Sequence, residues 1–201
     1  MSRMPQRTGV WVLRQMYLFD NVIKIIQKPW PHLVIENALP SDVALYMYKH
    51  FPPVGVSVGE ILNNQRREDY IDDEVYRKFT LENRSRAVET FELLDEAFGD
   101  FSTDHYRLSN FTFRDEPPAW PRVELRPWHI DKPTKKYHMM YYLGTGAGGE
   151  LEMLDEETGD VQQYAYEHNR LIVWKNADYT FHRFFSSDVQ RRTISLGVEH
   201  F

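Results

Sequence analysis

Trp128-His129-Ile130-Asp131 sets an imidazole and a carboxylate two residues apart. In an extended strand, residues i and i+2 point to the same side. A neutral nitrogen donor and an anionic oxygen donor can then meet at one cation. Alone the pattern is cheap in a chain with 8 histidines and 30 acidic residues. A third donor from elsewhere gives it weight, and His182 is the candidate. Two imidazoles and a carboxylate on one face of an octahedron leave three positions open for other ligands. A tetrahedral zinc site made from the same groups would leave only one. His32, His50, His105, His168 and His200 lack ligand spacing and receive no role.

These residues need a folded body to position them. A chain of 201 residues is expected to form a single domain with a sizeable core. Net charge of -6 offers no basic face for nucleic acid, so such a partner is not expected. Arg122, Arg126, Lys132, Lys135 and Lys136 do cluster around the His-x-Asp stretch, as a solvated rim or as contacts for an anionic substrate. With no cysteine, disulfides, thiolate zinc sites and cysteine nucleophiles are excluded together, which fits a reducing cytoplasm. No apolar run reaches the roughly 18 residues that span a bilayer. The early arginines (Arg3, Arg7, Arg14) faintly suggest a presequence, but Val10-Trp11-Val12-Leu13 and Val22-Ile23-Lys24-Ile25-Ile26 read as folded structure. The expected location is therefore cytoplasmic. Oligomeric state is open.

Along the chain, residues 1–9 read as a tail and Val10 to Ile26 as a strand or short helix. Leu33-Val34-Ile35 is a strand after a proline-fixed lead-in, and Ser41 is the expected N-cap of a helix over Val43 to Phe51. Residues 52–70 read as a long loop and a candidate cover for a substrate. Ala87, Phe91, Leu94 and Phe98 form one apolar stripe, which predicts a core-facing helix over Arg84 to Phe98. From residue 105 the texture becomes β. Tyr106–Phe113, Val123–Ile130, Tyr137–Leu143, Glu150–Leu154, Val161–Tyr166, Leu171–Trp174, Thr180–Phe185 and Arg192–Val198 are short β-branched or aromatic runs. So many short runs in so little chain predict a sandwich or barrel-like β-fold, buttressed by helices from the first half.

Four pieces in order now carry a resemblance: His129-x-Asp131, Tyr141-Tyr142-Leu143, Gly148-Gly149-Glu150-Leu151, and His182 followed by Arg191-x-Thr193-Ile194-Ser195. Over about residues 105–200 the chain resembles the 2-oxoglutarate and Fe(II)-dependent oxygenases, in their prolyl-hydroxylase-like branch. The resemblance implies a double-stranded β-helix (jelly-roll, cupin-like) core over 105–201, with a helix-rich support over 1–104 packed on one sheet. It implies Fe(II) held by His129, Asp131 and His182, with 2-oxoglutarate and dioxygen as co-substrates. The reaction implied is hydroxylation of a C–H bond with release of succinate and carbon dioxide. Retention of Asp131 favours hydroxylation over halogenation, in which that carboxylate is missing.

By the same resemblance the distal carboxylate of 2-oxoglutarate needs a cation, and a guanidinium suits it with two parallel hydrogen bonds. Arg191, Thr193 and Ser195 share one strand face, while Arg192, Ile194 and Leu196 share the other. The polar face favours Arg191 with Thr193 as helper, and Arg192 is the alternative. Tyr142 matches the tyrosine that donates to that carboxylate in relatives, and His138 and Met140 share its face. Gly148 and Gly149 read as scaffold, Trp174 and Phe184 as core aromatics. Arg126, Trp128, Lys132 and Arg114 are candidate contacts to a substrate, either a peptide or protein residue or a small metabolite. Two other readings compete. One is a redox-inactive, cupin-like metal protein (an isomerase or sensor); the other is a nucleic-acid oxidative demethylase, which the acidic charge disfavours.

Overall fold

The computed structural model describes residues 23–51, 106–108 and 112–200. Strands β1 (Ile23–Ile26) and β2 (His32–Ile35) precede helix α1 (Ser41–Lys49). Next come β3 (Tyr106–Leu108), β4 (Thr112–Glu116), β5 (Glu124–His129) and β6 (Lys135–Tyr142). Then follow β7 (Leu151–Leu154), β8 (Val161–Tyr164), β9 (Arg170–Lys175), β10 (His182–Phe185) and β11 (Arg191–His200). A 7-stranded sheet runs in the order β1-β2-β9-β6-β11-β3, with β4 also paired to β11. A 4-stranded sheet runs β5-β10-β7-β8. Every pairing is antiparallel.

Side-chain alternation explains how the sheets are used. On β6, Tyr137, Met139 and Tyr141 join the cluster on the outer face of the larger sheet. Met140 and Tyr142 instead join the cluster between the two sheets. On β11, Ile194, Leu196 and Val198 point outward with them, which leaves Arg191, Thr193 and Ser195 for the inner face. β9 is apolar on both sides: Leu171 and Val173 outward, Ile172 and Trp174 inward. A strand covered on both faces reads as a continuous apolar run, and this one does.

Helix α1 covers the outer face through Val43, Ala44 and Met47. It starts one step earlier than the expected Ser41 cap. Pro40 occupies the cap position with ψ of 136, its carbonyl accepts the Ala44 amide at 3.0 Å, and no side chain caps the helix. Proline has no amide hydrogen to leave unsatisfied there. Asp42 in the first turn favours the positive end of the helix.

The expected β-runs reappear with shifted ends. Tyr106–Phe113 is two strands rather than one, β3 and β4, both paired to β11. β11 extends at both ends beyond Arg192–Val198. The expected helix over Arg84 to Phe98 and the loop 52–70 lie outside the described residues. Among the described residues, no helix is long and apolar enough to cross a membrane.

His32 ties the sheets together. Its Nδ1 donates to the Trp30 carbonyl at 2.6 Å and its Nε2 meets the Tyr164 hydroxyl on β8. Burial lowers its pKa from the ordinary 6.5 to about 4, against the opposing effect of the Trp30 carbonyl. The unfolded chain therefore takes up that proton first. Above pH 6.5 this group makes no difference, and between 6.5 and 4 it removes about 1.4 kcal/mol of stability per pH unit. In denaturant unfolding of the metal-free protein, the loss of stability from pH 7 to pH 5 should be smaller in His32→Gln by about 2 kcal/mol.

Candidate active site

The metal-donor geometry begins with strand register. β10 pairs with β5 so that His182 stands directly opposite His129, and their ring centroids are 4.4 Å apart. Asp131 follows β5 by two residues. Candidate ligand atoms of His129, Asp131 and His182 all lie within 4.8 Å of one another.

Backbone carbonyls set the tautomer of both rings. His129 Nδ1 donates to the Pro127 carbonyl at 2.8 Å, and His182 Nδ1 donates to the Thr180 carbonyl at 3.0 Å. Each ring thus keeps a lone pair on Nε2. His182 Nε2 is buried with no hydrogen-bond partner. Burial lowers the pKa of His182 to about 3, so the ring stays neutral. That is the state a metal requires.

Asp131 is buried at 9% exposure, yet it stays ionised. Burial opposes its charge, but His138 and Lys135 outweigh that and hold it well below the usual carboxylate range. His138 Nδ1 lies 2.6 Å from Asp131 Oδ2, and Lys135 Nζ lies 3.6 Å from Oδ1. His138 stacks on Trp174 at 4.4 Å and 12°, and Trp174 meets His182 edge-on at 5.1 Å. One indole therefore braces both the partner of Asp131 and His182.

The pocket around this cluster is lined by Arg114, Arg126, Met140, Phe184, Arg191, Thr193 and Ser195 along with the histidines and Asp131. Arg191 is 2% exposed. Its Nε donates to the Gly149 carbonyl at 3.1 Å and its Nη1 to Glu116 at 2.5 Å, while Nη2 is buried without a partner. Tyr142 lies beside it, with the guanidinium carbon 5.5 Å from the ring centroid, and among the described residues its buried hydroxyl has no hydrogen-bonding neighbour other than Arg191. Burial raises the Tyr142 pKa to about 12, only partly offset by Arg191, so the hydroxyl is a donor. Arg192 faces the other way. It reaches Asp115 at 3.3 Å and the Tyr48 carbonyl at 2.5 Å, on the side of α1.

The candidate substrate contacts divide. Arg114 and Arg126 line the pocket. Trp128 does not; its ring lies 4.3 Å beneath Arg183. Lys132 is exposed, and its carbonyl accepts from Asn176 at 3.0 Å. Gly148 and Gly149 have φ of 81 and 74, and a Cβ at Gly148 would come 2.5 Å from the Ser186 carbonyl oxygen. That turn is what puts the Gly149 carbonyl on Arg191. Sequence reasoning missed Glu116, whose signal is its register opposite Arg191.

No family model matches the sequence, and no curated protein matches it. Solved structures do match. A prolyl-4-hydroxylase from Pseudomonas putida shares 16% identity over 84% of this chain and 86% of its own, at a TM-score of 0.52. A prolyl hydroxylase from Trichoplax adhaerens, in complex with a hypoxia-inducible-factor peptide fragment, shares 16% identity over 84% and 83%, at 0.57. The collagen prolyl hydroxylase of Paramecium Bursaria Chlorella virus-1, in its 2-oxoglutarate complex, shares 11% over 85% and 96%, at 0.53. The chain has the double-stranded β-helix fold of these oxygenases.

Partners of metal-bound carboxylates set metal affinity by factors of roughly 10 to 100. His138→Phe keeps the ring against Trp174 and removes the nitrogen beside Asp131. Calorimetric titration with Mn(II) should show binding weakened about tenfold, with the melting temperature little changed.

Proposed function

We propose that this chain is an Fe(II)- and 2-oxoglutarate-dependent oxygenase that hydroxylates a C–H bond of a peptide residue or small metabolite. The observation that carries the reading is the meeting of two sets of groups in one pocket. One set is His129, Asp131 and His182, whose donor atoms converge within 4.8 Å. The other is the buried Arg191 Nη2 and Tyr142 hydroxyl, which lie beside each other and meet no third hydrogen-bond partner among the described residues. A buried polar atom left unpaired costs about 1–3 kcal/mol, so His182 Nε2 in the first set and Arg191 Nη2 in the second each suit a bound ligand.

The donor chemistry fits each group. Two neutral imidazoles and one ionised carboxylate suit a divalent iron and leave positions for other ligands. A guanidinium edge and a phenolic donor suit a carboxylate. His129, Asp131 and His182 would hold the metal, and Arg191, Tyr142 and Thr193 would hold the distal carboxylate of 2-oxoglutarate. Bound together, iron and 2-oxoglutarate would let dioxygen act as the oxidant, one oxygen atom entering the C–H bond as an alcohol and the other the succinate formed as carbon dioxide is lost.

The chain's own contribution is positioning. Pro127 and Thr180 carbonyls keep the Nε2 lone pairs of both rings turned to the cluster. His138 and Lys135 keep Asp131 anionic as a ligand. Glu116 and the Gly149 carbonyl fix the Arg191 fork so that one edge remains for the co-substrate. Met140 and Phe184 provide apolar wall, which keeps water from the reacting centre. The peptide complex of one structural neighbour supports a peptide substrate here as one option. A redox-inactive metal protein has no use for the Arg191 and Tyr142 pair.

Anaerobic addition of Fe(II) and 2-oxoglutarate should give the visible charge-transfer band of the chelate, absent in His182→Ala. Arg191→Ala should raise the 2-oxoglutarate concentration needed for half of that band by roughly 10- to 100-fold. Arg192→Ala should leave it unchanged. Asp131→Ala should abolish succinate formation in air. A wild-type protein without the band, or Arg192→Ala behaving as Arg191→Ala, would overturn the assignment.

A further inference from the structure

The pocket holds more positive charge than a metal and its co-substrate use. Arg114, Arg126 and Arg191 line it, and Asp131 is the one carboxylate among the described lining residues. Arg191 is matched by Glu116. Among the described residues, the other two guanidiniums have no such counterion.

Arg114 lies on β4 directly opposite Thr193, whose side chain is on the inner face of the larger sheet. It is half-buried. Among the described residues it makes no hydrogen bond and no ion pair. Burial lowers its pKa most, and the nearby Arg126 and Arg191 act in the same direction, against Glu116 and Asp131. Arg126 comes from the other sheet. A register shift in β5 places it opposite Phe184, with Nη1 3.4 Å from His129 Nε2. β5 is an edge strand of the smaller sheet, and β4 pairs on the outer side of β11. Guanidiniums from strands of both sheets therefore line one pocket, close enough for each to feel the other's charge.

Holding a half-buried cation unpaired beside like charge is unfavourable, and an oxyanion bound between the two would remove the penalty. That anion is separate from the one facing Arg191. Arg114 stands two positions along β4 from Glu116, so roughly 7 Å of strand separates it from the Arg191 pair. An internal apolar peptide residue carries nothing to match two guanidiniums. A small acid does. We propose that Arg114 and Arg126 form a second anion site that takes the carboxylate or phosphate of a small-molecule acid, and that this acid is the substrate. The proposal rests on the oxygenase reading above.

The test uses protein loaded with Mn(II) and 2-oxoglutarate, titrated by calorimetry at low ionic strength with acetate and, separately, with inorganic phosphate. One anion should bind the wild-type complex, and Arg114→Gln and Arg126→Gln should each weaken it at least tenfold. Arg114→Lys should recover part of the loss. Lys24→Gln, an exposed charge on β1 at the far edge of the larger sheet, should match wild type. A preference for acetate assigns a carboxylic acid, and a preference for phosphate assigns a phosphorylated one. The 2-oxoglutarate affinity of Arg114→Gln should stay within about twofold of wild type. Absence of anion binding, or wild-type binding in Arg114→Gln, overturns the proposal. So does loss of 2-oxoglutarate affinity in Arg114→Gln, which would give Arg114 to the co-substrate. If wild type fails to bind Mn(II) with 2-oxoglutarate, the oxygenase reading falls instead. The same anion titrations on metal-free protein then decide the clamp by itself.

Discussion

One register holds the candidate metal donors together: His182 of β10 opposite His129 of β5. A slip of one residue would send one ring to the opposite face of the smaller sheet, because strand side chains alternate. That register is held from both sides, since β10 also pairs with β7 through His182 and Met153. The irregularity that follows is equally consequential. Between the His182 and Phe184 pairings, β5 advances from His129 to Arg126, three residues against two. A bulge of this kind re-aims a side chain. It returns Arg126 to the pocket face that simple alternation from His129 would have denied it.

The second constraint is charge burial on the larger sheet. A guanidinium that is 2% exposed is tolerable only when its donors are used. Arg191 satisfies this with Glu116 across the β4 pairing and with the Gly149 carbonyl from the glycine turn. These two contacts lock the plane of the fork, and the remaining Nη2 is buried beside Tyr142 with no third partner among the described residues. Preorganisation of this sort reduces the ordering required when a carboxylate arrives. Arg192, one residue on, has the opposite fate. Alternation alone sends it to α1 and Asp115, where it closes the outer face.

Much of this was legible in the residues. His129, Asp131 and His182 stood out as candidate donors by type and spacing, and the structure brings them together; the alternation of Arg191, Thr193 and Ser195 against Ile194 and Leu196 separated the two faces of β11. The reasoning about Asp131 was less accurate, since β5 ends at His129 and the carboxylate arrives from the segment beyond it. Its orientation comes from His138 and Lys135 on the next strand, contacts that no local spacing reveals. Glu116 was invisible for the same reason: it matters only through its register with Arg191. Trp128 was drawn toward the pocket by its position beside His129, but its ring lies under Arg183. The helix start was misplaced because Pro40 takes the cap without any side-chain acceptor, so the usual serine signal pointed one residue too far.

The two halves of the site stand on different sheets, and this decides what the inter-sheet core is for. His129 and His182 belong to the smaller sheet, while Arg191, Tyr142 and Thr193 belong to the larger. Asp131 sits in the connection between them, and its charge partners are on the larger sheet. The separation of the candidate metal donors from the proposed carboxylate clamp is therefore a distance between sheets. Apolar packing of Met140, Leu151, Met153, Ile172, Trp174 and Phe184 sets that distance. Interiors packed at crystal-like density transmit small displacements rather than absorb them. Trp174 touches both sides directly, through His138 and His182. The tolerance of the site is thus narrower than that of the fold: a core change that leaves every strand paired still shifts one set of candidate ligands relative to the other.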